Sequence, residues 1–72
     1  MPSFASRIRE LRQERRMTQQ DLADTFSVRV RTYQGYEYGE SQPDVAGLIA
    51  IADFFDVSLD YLVGRSDVRE RQ

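Results

Sequence analysis

Cysteine is absent from the 72 residues, and so is histidine. The first absence excludes disulfides and thiolate metal sites. The second removes the commonest general base and the commonest metal ligand. Lysine is missing as well, so all ten basic residues are Arg. No apolar run approaches the length of a membrane span, and Met1–Ser6 carries no signal-peptide pattern. So short a chain holds one domain, whose core buries a smaller fraction of surface than that of a larger protein. Stability is therefore expected from closely packed helices or from a partner chain. The default expectation is a reduced, cytoplasmic protein with no membrane contact.

The same shortages argue against an enzyme. Ser, Asp and Glu are present, but no base is available to activate a hydroxyl and no glycine-rich phosphate loop exists. Asp53, Asp56 and Asp60 are carboxylates without the oxygen-rich loop that hard cations prefer, so solvated faces and helix caps account for them. No metal, no cofactor and no small-molecule substrate are expected.

What is present is an uneven charge. Through Gln34 seven Arg stand against four acids, a local net charge of +3. From Gly35 to Gly64 there are six acids and no Arg, and the tail from Arg65 restores +1. The overall charge of −2 argues mildly against a nucleic-acid partner. A basic half beside an acidic half nevertheless allows one positive face toward DNA, with a solvated mixed surface as the plainer alternative.

Periodicity divides the chain into helices. Phe4, Ile8, Leu11 and Arg12 form a helical stripe, with Arg7, Arg9, Glu10 and Gln13 mostly on the other side. Thr18 is an N-cap with Asp21 in the capping-box position, and Met17 and Leu22 sit where a hydrophobic staple forms. A helix from Gln19 to about Phe26 follows, with Leu22, Ala23 and Phe26 inward. Ser27-Val28-Arg29 separates it from a helix over Val30 to about Tyr38, with Tyr33, Tyr36 and Glu37 on one side and Gly39 in the left-handed stop position. Tyr33 and Tyr36 are spaced as core residues rather than as a stacking platform for bases. Asp44 caps a helix over Val45–Phe55 whose apolar face is Val45, Leu48, Ile49, Ala52 and Phe55. Ser58 caps a last short helix with Leu59, Tyr61, Leu62 and Val63, stopped by Gly64. The expected fold is all-α, a compact five-helix bundle over residues 1–65, with a charged, frayed tail over 66–72.

Two short helices joined by a three-residue break make a helix-turn-helix unit, which sets its second helix in the major groove. Periodicity alone leaves a helical protein-interaction module open as the alternative.

The residues themselves narrow this. Arg7-Ile8-Arg9-Glu10-Leu11-Arg12, followed by Met17-Thr18-Gln19-Gln20-Asp21-Leu22-Ala23, resembles the start of the Xre/Cro family of phage and bacterial repressors. Tyr36-Glu37-Tyr38-Gly39-Glu40-Ser41-Gln42-Pro43 is similar to that family's segment after the recognition helix, and Ile51–Gly64 to its closing two helices. The resemblance covers about residues 4–65. It implies a lambda-repressor-like five-helix domain that binds operator DNA sequence-specifically, usually as a dimer, in transcriptional regulation. The chain departs from the family at several points: Ser27 replaces the usual turn glycine and Arg29 a Ser or Thr cap. Tyr38 stands for Asn or Arg, Glu40 for a basic residue, and Gly35 for a frequent contact residue. These departures keep open a helix-turn-helix fold that docks protein instead of DNA.

On the DNA reading, Gln19 offers amides to a phosphate at a helix N-terminus. Arg31 is the candidate for a guanine, and Arg29 for backbone or base. Val30 meets a thymine methyl or packs on the preceding helix, and Gln34 pairs with adenine or is simply solvated. Thr32 and Tyr38 are candidate phosphate contacts, and Gly35 belongs to the exposed positions of the same helix. The family pattern places an ion pair at Arg12 and Glu37. Leu59, Tyr61 and Leu62 put more apolar surface on one short helix than one face buries, which suggests a homodimer interface or a core closed within the chain. A two-fold dimer implies symmetric half-sites about 10–10.5 base pairs apart.

Overall fold

The computed structural model describes residues 2–71, so Met1 and Gln72, the outermost residues of the expected domain and tail, lie outside it. The helices are α1 (Phe4–Glu14), α2 (Gln19–Thr25), α3 (Val30–Tyr38), α4 (Val45–Phe55) and α5 (Leu59–Leu62), with no strand among the described residues. Helix α1 packs on α3 and α5, α2 on α3, and α4 on α5. One core results, built on Phe4, Ile8, Leu11, Leu22, Tyr33, Ile51, Phe55 and Leu62.

Side chains start the helices. Thr18 Oγ1 accepts from the Asp21 backbone N–H at 3.0 Å, and Asp21 Oδ2 accepts from the Thr18 N–H at 2.9 Å, a reciprocal capping box. Asp44 and Ser58 cap α4 and α5 by accepting from Gly47 and Tyr61. Ser3 does the same for α1 with Ser6. Helix α3 differs: Arg29 is its N-cap, and no side chain accepts from the first turn. Its opening N–H groups are therefore left for water or a ligand.

All five helices end alike. A left-handed residue stands one or two places after each C-terminus: Arg16, Ser27 and Asp56 at φ 55–56°, Gly39 at 77° and Gly64 at 85°. The next N–H reaches back five residues, as from Val28 to the Ala23 carbonyl at 3.0 Å and from Glu40 to the Gly35 carbonyl at 2.9 Å. This is the Schellman closure, which satisfies carbonyls that a helix end otherwise orphans. Ser27 thus stands in the conformation that explains a glycine preference at that point of the turn.

Three expectations need correction. Val45 and Ile49 are exposed, and the inward face of α4 is Leu48, Ile51, Ala52 and Phe55. Nearly every residue of this helix is apolar, so periodicity could not select its buried side. Arg7, expected on the outer side of α1, is buried (6% exposed). The tail is bonded to the body: Ser58 N–H donates to the Arg69 carbonyl at 2.8 Å and Ser58 Oγ to that of Val68 at 2.9 Å. Arg69 also grips Glu14 through two nitrogens and donates to the Tyr61 hydroxyl at 2.9 Å.

Candidate nucleic-acid interface

Helix α3 presents Arg29, Arg31 and Thr32 to solvent near its N-terminus and Tyr38 (61% exposed) near its end. Gln34, three residues beyond Arg31 and on the same side, is half-buried. Neither Arg29 nor Arg31 takes part in an ion pair among the described residues, and the same holds for Arg9, Arg15, Arg16 and Arg65. Arg15 is occupied otherwise, lying 5.0 Å over the Phe54 ring. Two of the seven Arg of the basic half are spent internally, Arg7 on Asp67 and Arg12 on Glu37. The head of α3 thus combines two unpaired guanidiniums with uncapped backbone N–H groups, an arrangement suited to anionic oxygens and base edges.

One residue does not stand where the sequence suggested, and another takes one of the two roles left open for it. Gly35 is buried, and its carbonyl accepts from the Glu40 and Ser41 N–H groups of the loop folded over it. A Cβ at Gly35 would come within 2.9 Å of Ser41 Oγ, which would have to turn aside. Val30 is half-buried against the core, which favours its packing role over a base contact.

Beneath α3 lies a polar network. Arg12 Nε and Nη2 donate to the two oxygens of Glu37 at 2.6 and 3.1 Å, while Arg12 Nη1 donates to the Met17 carbonyl at 3.0 Å. The Tyr33 hydroxyl donates to Glu37 Oε2 at 2.5 Å and Gln19 Nε2 to Oε1 at 3.2 Å. Gln34 Nε2 in turn donates to Gln19 Oε1 at 3.2 Å. Burial works against the charge on Glu37, yet the donors from Arg12, Tyr33 and Gln19 hold its pKa below the ordinary carboxylate value. Burial, reinforced by the bond to Glu37, raises the Tyr33 pKa. The Arg12 pKa is raised by its bond to Glu37. Both ends of the Gln19 amide are thereby engaged inside the protein, leaving its backbone N–H as the group available to a phosphate.

The candidate dimer residues divide. Tyr61 (5% exposed) and Leu62 (0%) belong to the chain's own core, so they cannot form an interface. Leu59 remains 37% exposed and lines a shallow surface groove with Ile49. Sequence reasoning missed Arg7, whose guanidinium bonds the Tyr61 and Ser66 carbonyls and Asp67 and stacks on the Tyr61 ring. The signal was available: Arg7 lies three residues after Phe4 and four before Leu11, on the buried stripe. The link between Gln19 and Gln34 had no such signal, because it depends on how α2 crosses α3.

Comparison with known proteins agrees with this architecture. The Helix-turn-helix family model matches residues 8–62. The chain is 38% identical over 60 residues to the uncharacterized HTH-type transcriptional regulator YqaE of Bacillus subtilis, covering 83% of this chain and 52% of that protein. It is also 38% identical over 55 residues to the cryptic phage CTXphi transcriptional repressor RstR of Vibrio cholerae, covering 76% and 49%. The crystal structure of a transcriptional regulator from Listeria innocua superposes with a TM-score of 0.83 at 35% identity, over 86% of this chain and 58% of that one. The chain spans about half the length of the curated relatives it matches. With the family model covering most of its residues, the chain belongs to the Xre/Cro-type helix-turn-helix family.

Proposed function

We propose that this domain binds double-stranded DNA sequence-specifically as a transcriptional repressor, with α3 in the major groove and α2 across the phosphate backbone. The observation that carries this reading is the pair of exposed, unpaired guanidiniums of Arg29 and Arg31 at the uncapped start of α3. Arg31 reads a base, while Arg29, Thr32, Tyr38 and the Gln19 backbone N–H hold phosphates. The working unit is a homodimer on two-fold symmetric half-sites, joined over the exposed Ile49 and Leu59 of α4 and α5. Such a protein works in the cytoplasm and needs no cofactor. Its relatives named as transcriptional regulators and as a phage repressor support the reading.

Selection from a random duplex library, followed by salt titration on the enriched sequence, tests it. Enrichment of a two-fold symmetric sequence is expected, with binding that weakens steeply as counterions are added. No enrichment together with a flat salt response would sink the DNA reading. It would leave the protein-docking alternative, for which the exposed Tyr38 and Glu40 at the end of α3 speak.

A further inference from the structure

Glu37 accepts from four donors, two on Arg12 and one each on Tyr33 and Gln19. The two oxygens of a carboxylate offer about four lone-pair sites, so this acceptor is filled. An ionised carboxylate also has no hydrogen to give. Gln19 must therefore approach it with the amide nitrogen, which turns Gln19 Oε1 the other way. That oxygen can only accept, and Gln34 meets it with Nε2 at 3.2 Å. The direction of every bond in the chain from Glu37 through Gln19 to Gln34 is dictated by the charge at its buried end. Half-buried Gln34 makes no other side-chain hydrogen bond among the described residues, which leaves its carbonyl oxygen and one N–H uncommitted on the side of α3 that carries Arg31. An acceptor and a donor side by side match the N6–H and N7 of adenine in the major groove.

We infer that Gln19 is a positioning residue for base reading: clamped by Glu37, it holds the Gln34 amide in one orientation and so makes Gln34 select an A·T pair. The inference rests on the DNA-binding reading of α3 and adds to it a residue that touches no base. Released from Gln19, the Gln34 amide is free to turn over and present either edge, and its selectivity falls while the fold remains.

The test uses the enriched duplex and a series in which each base pair is changed in turn. Binding of the parent is compared with Gln19→Ala, Gln34→Ala and the double variant, each melted first to verify folding. Gln34→Ala is expected to lower the preference for A·T at one position roughly tenfold. Gln19→Ala should weaken that same preference several-fold and leave the others intact, with the double variant no worse there than Gln34→Ala. Gln19→Met, which keeps the side-chain length without either polar end, repeats the comparison if the alanine variant melts early. Equal loss on enriched and random duplex with all base preferences kept would overturn the inference and make Gln19 a phosphate contact. Additive losses in the double variant, or a Gln34→Ala variant that changes no base preference, would overturn it too. Failure of the DNA reading itself would already show with the parent, as absence of any enriched sequence.

Discussion

The guanidinium carbon of Arg7 lies 3.8 Å from the centre of the Tyr61 ring, and Arg7 Nη1 donates to the Tyr61 carbonyl at 3.1 Å. One side chain near the start of the chain thereby fixes both the face and the backbone of the last helix. Its second carbonyl partner, Ser66 at 3.2 Å, draws in the tail. Asp67 supplies the formal counter-charge at 2.9 Å, but its side chain is 93% exposed.

This geometry ranks the contributions. The Asp67 contact is screened by water and worth less than about 1 kcal/mol. Hydrogen bonds from a charged group to buried carbonyls are worth about 1.5–3 kcal/mol each, and stacking on Tyr61 adds about 1 kcal/mol. Arg7→Ala is expected to cost about 3 kcal/mol or more in urea unfolding, and Asp67→Ala under about 1 kcal/mol. Equal costs for the two would show that the ion pair, not the carbonyls, holds the tail.

The Arg12–Glu37 pair gives stability a pH dependence at both ends of the scale. The folded pKa of Glu37 lies below its ordinary value of 4.5, so its contribution is complete above that value and fades as pH falls through the lowered folded pKa. Tyr33 behaves in reverse: its folded pKa lies above 10.0, so its contribution is complete below 10.0 and is lost as pH climbs past it. Melting temperature should therefore be level near neutrality and drop on both sides. At pH 7, Glu37→Ala strands the Arg12 charge and should cost roughly 3–5 kcal/mol. A parent melting temperature unchanged from pH 6 to pH 3 would contradict the assignment.

Ser27 offers the opposite change, a gain. A left-handed conformation costs an L-residue roughly 1–2 kcal/mol, and glycine escapes that cost while losing about 0.5–1 kcal/mol of chain entropy on folding. Ser27 is exposed, and the φ of 56° is the one feature of its position that glycine relieves. Ser27→Gly should raise stability by about 0.5–1 kcal/mol, a few degrees in melting temperature for a domain of this size. Unchanged or lowered stability in a thermal melt would mean that the turn carries no strain at this residue.

The helices, their caps and their stops were legible because each rests on a local rule: Thr18 with Asp21, Asp44, Ser58, and Gly39 in the left-handed position. The inward Tyr33, Tyr36 and Glu37 followed from helical spacing. What stayed hidden depends on partners distant in sequence. Gly35 looks exposed by spacing until the loop at Glu40 and Ser41 closes over it. The charged tail looks solvated until Arg69 meets Glu14, 55 residues away. Tyr61 and Leu62 read equally well as interface or core, and only the packing of α5 on α1 and α4 decides for the core.

The proposed reading of DNA sequence by α3 is open to a paired measurement on Arg31 and Glu40. Arg31 is exposed, free of ion pairs among the described residues, and one residue inside the N-terminus of α3, the end that comes nearest the bases in this docking mode. A guanidinium there matches guanine O6 and N7 with two bonds, worth roughly 1–3 kcal/mol of discrimination. Arg31→Ala is therefore expected to cost that amount on the preferred duplex, concentrated at one G·C pair, with far less change on random duplex. Glu40 provides the contrast. Exposed just past the C-terminus of α3, its carboxylate repels phosphates and carries no sequence information. Glu40→Lys should tighten binding to preferred and random duplex alike and, where the ammonium meets a phosphate, steepen the salt slope by about one unit. Fluorescence titrations of both variants on both duplexes, at several salt concentrations, separate the two effects. If Arg31→Ala weakens both duplexes equally, Arg31 is a phosphate anchor, and discrimination at that step belongs to Gln34 and to the shape of the DNA.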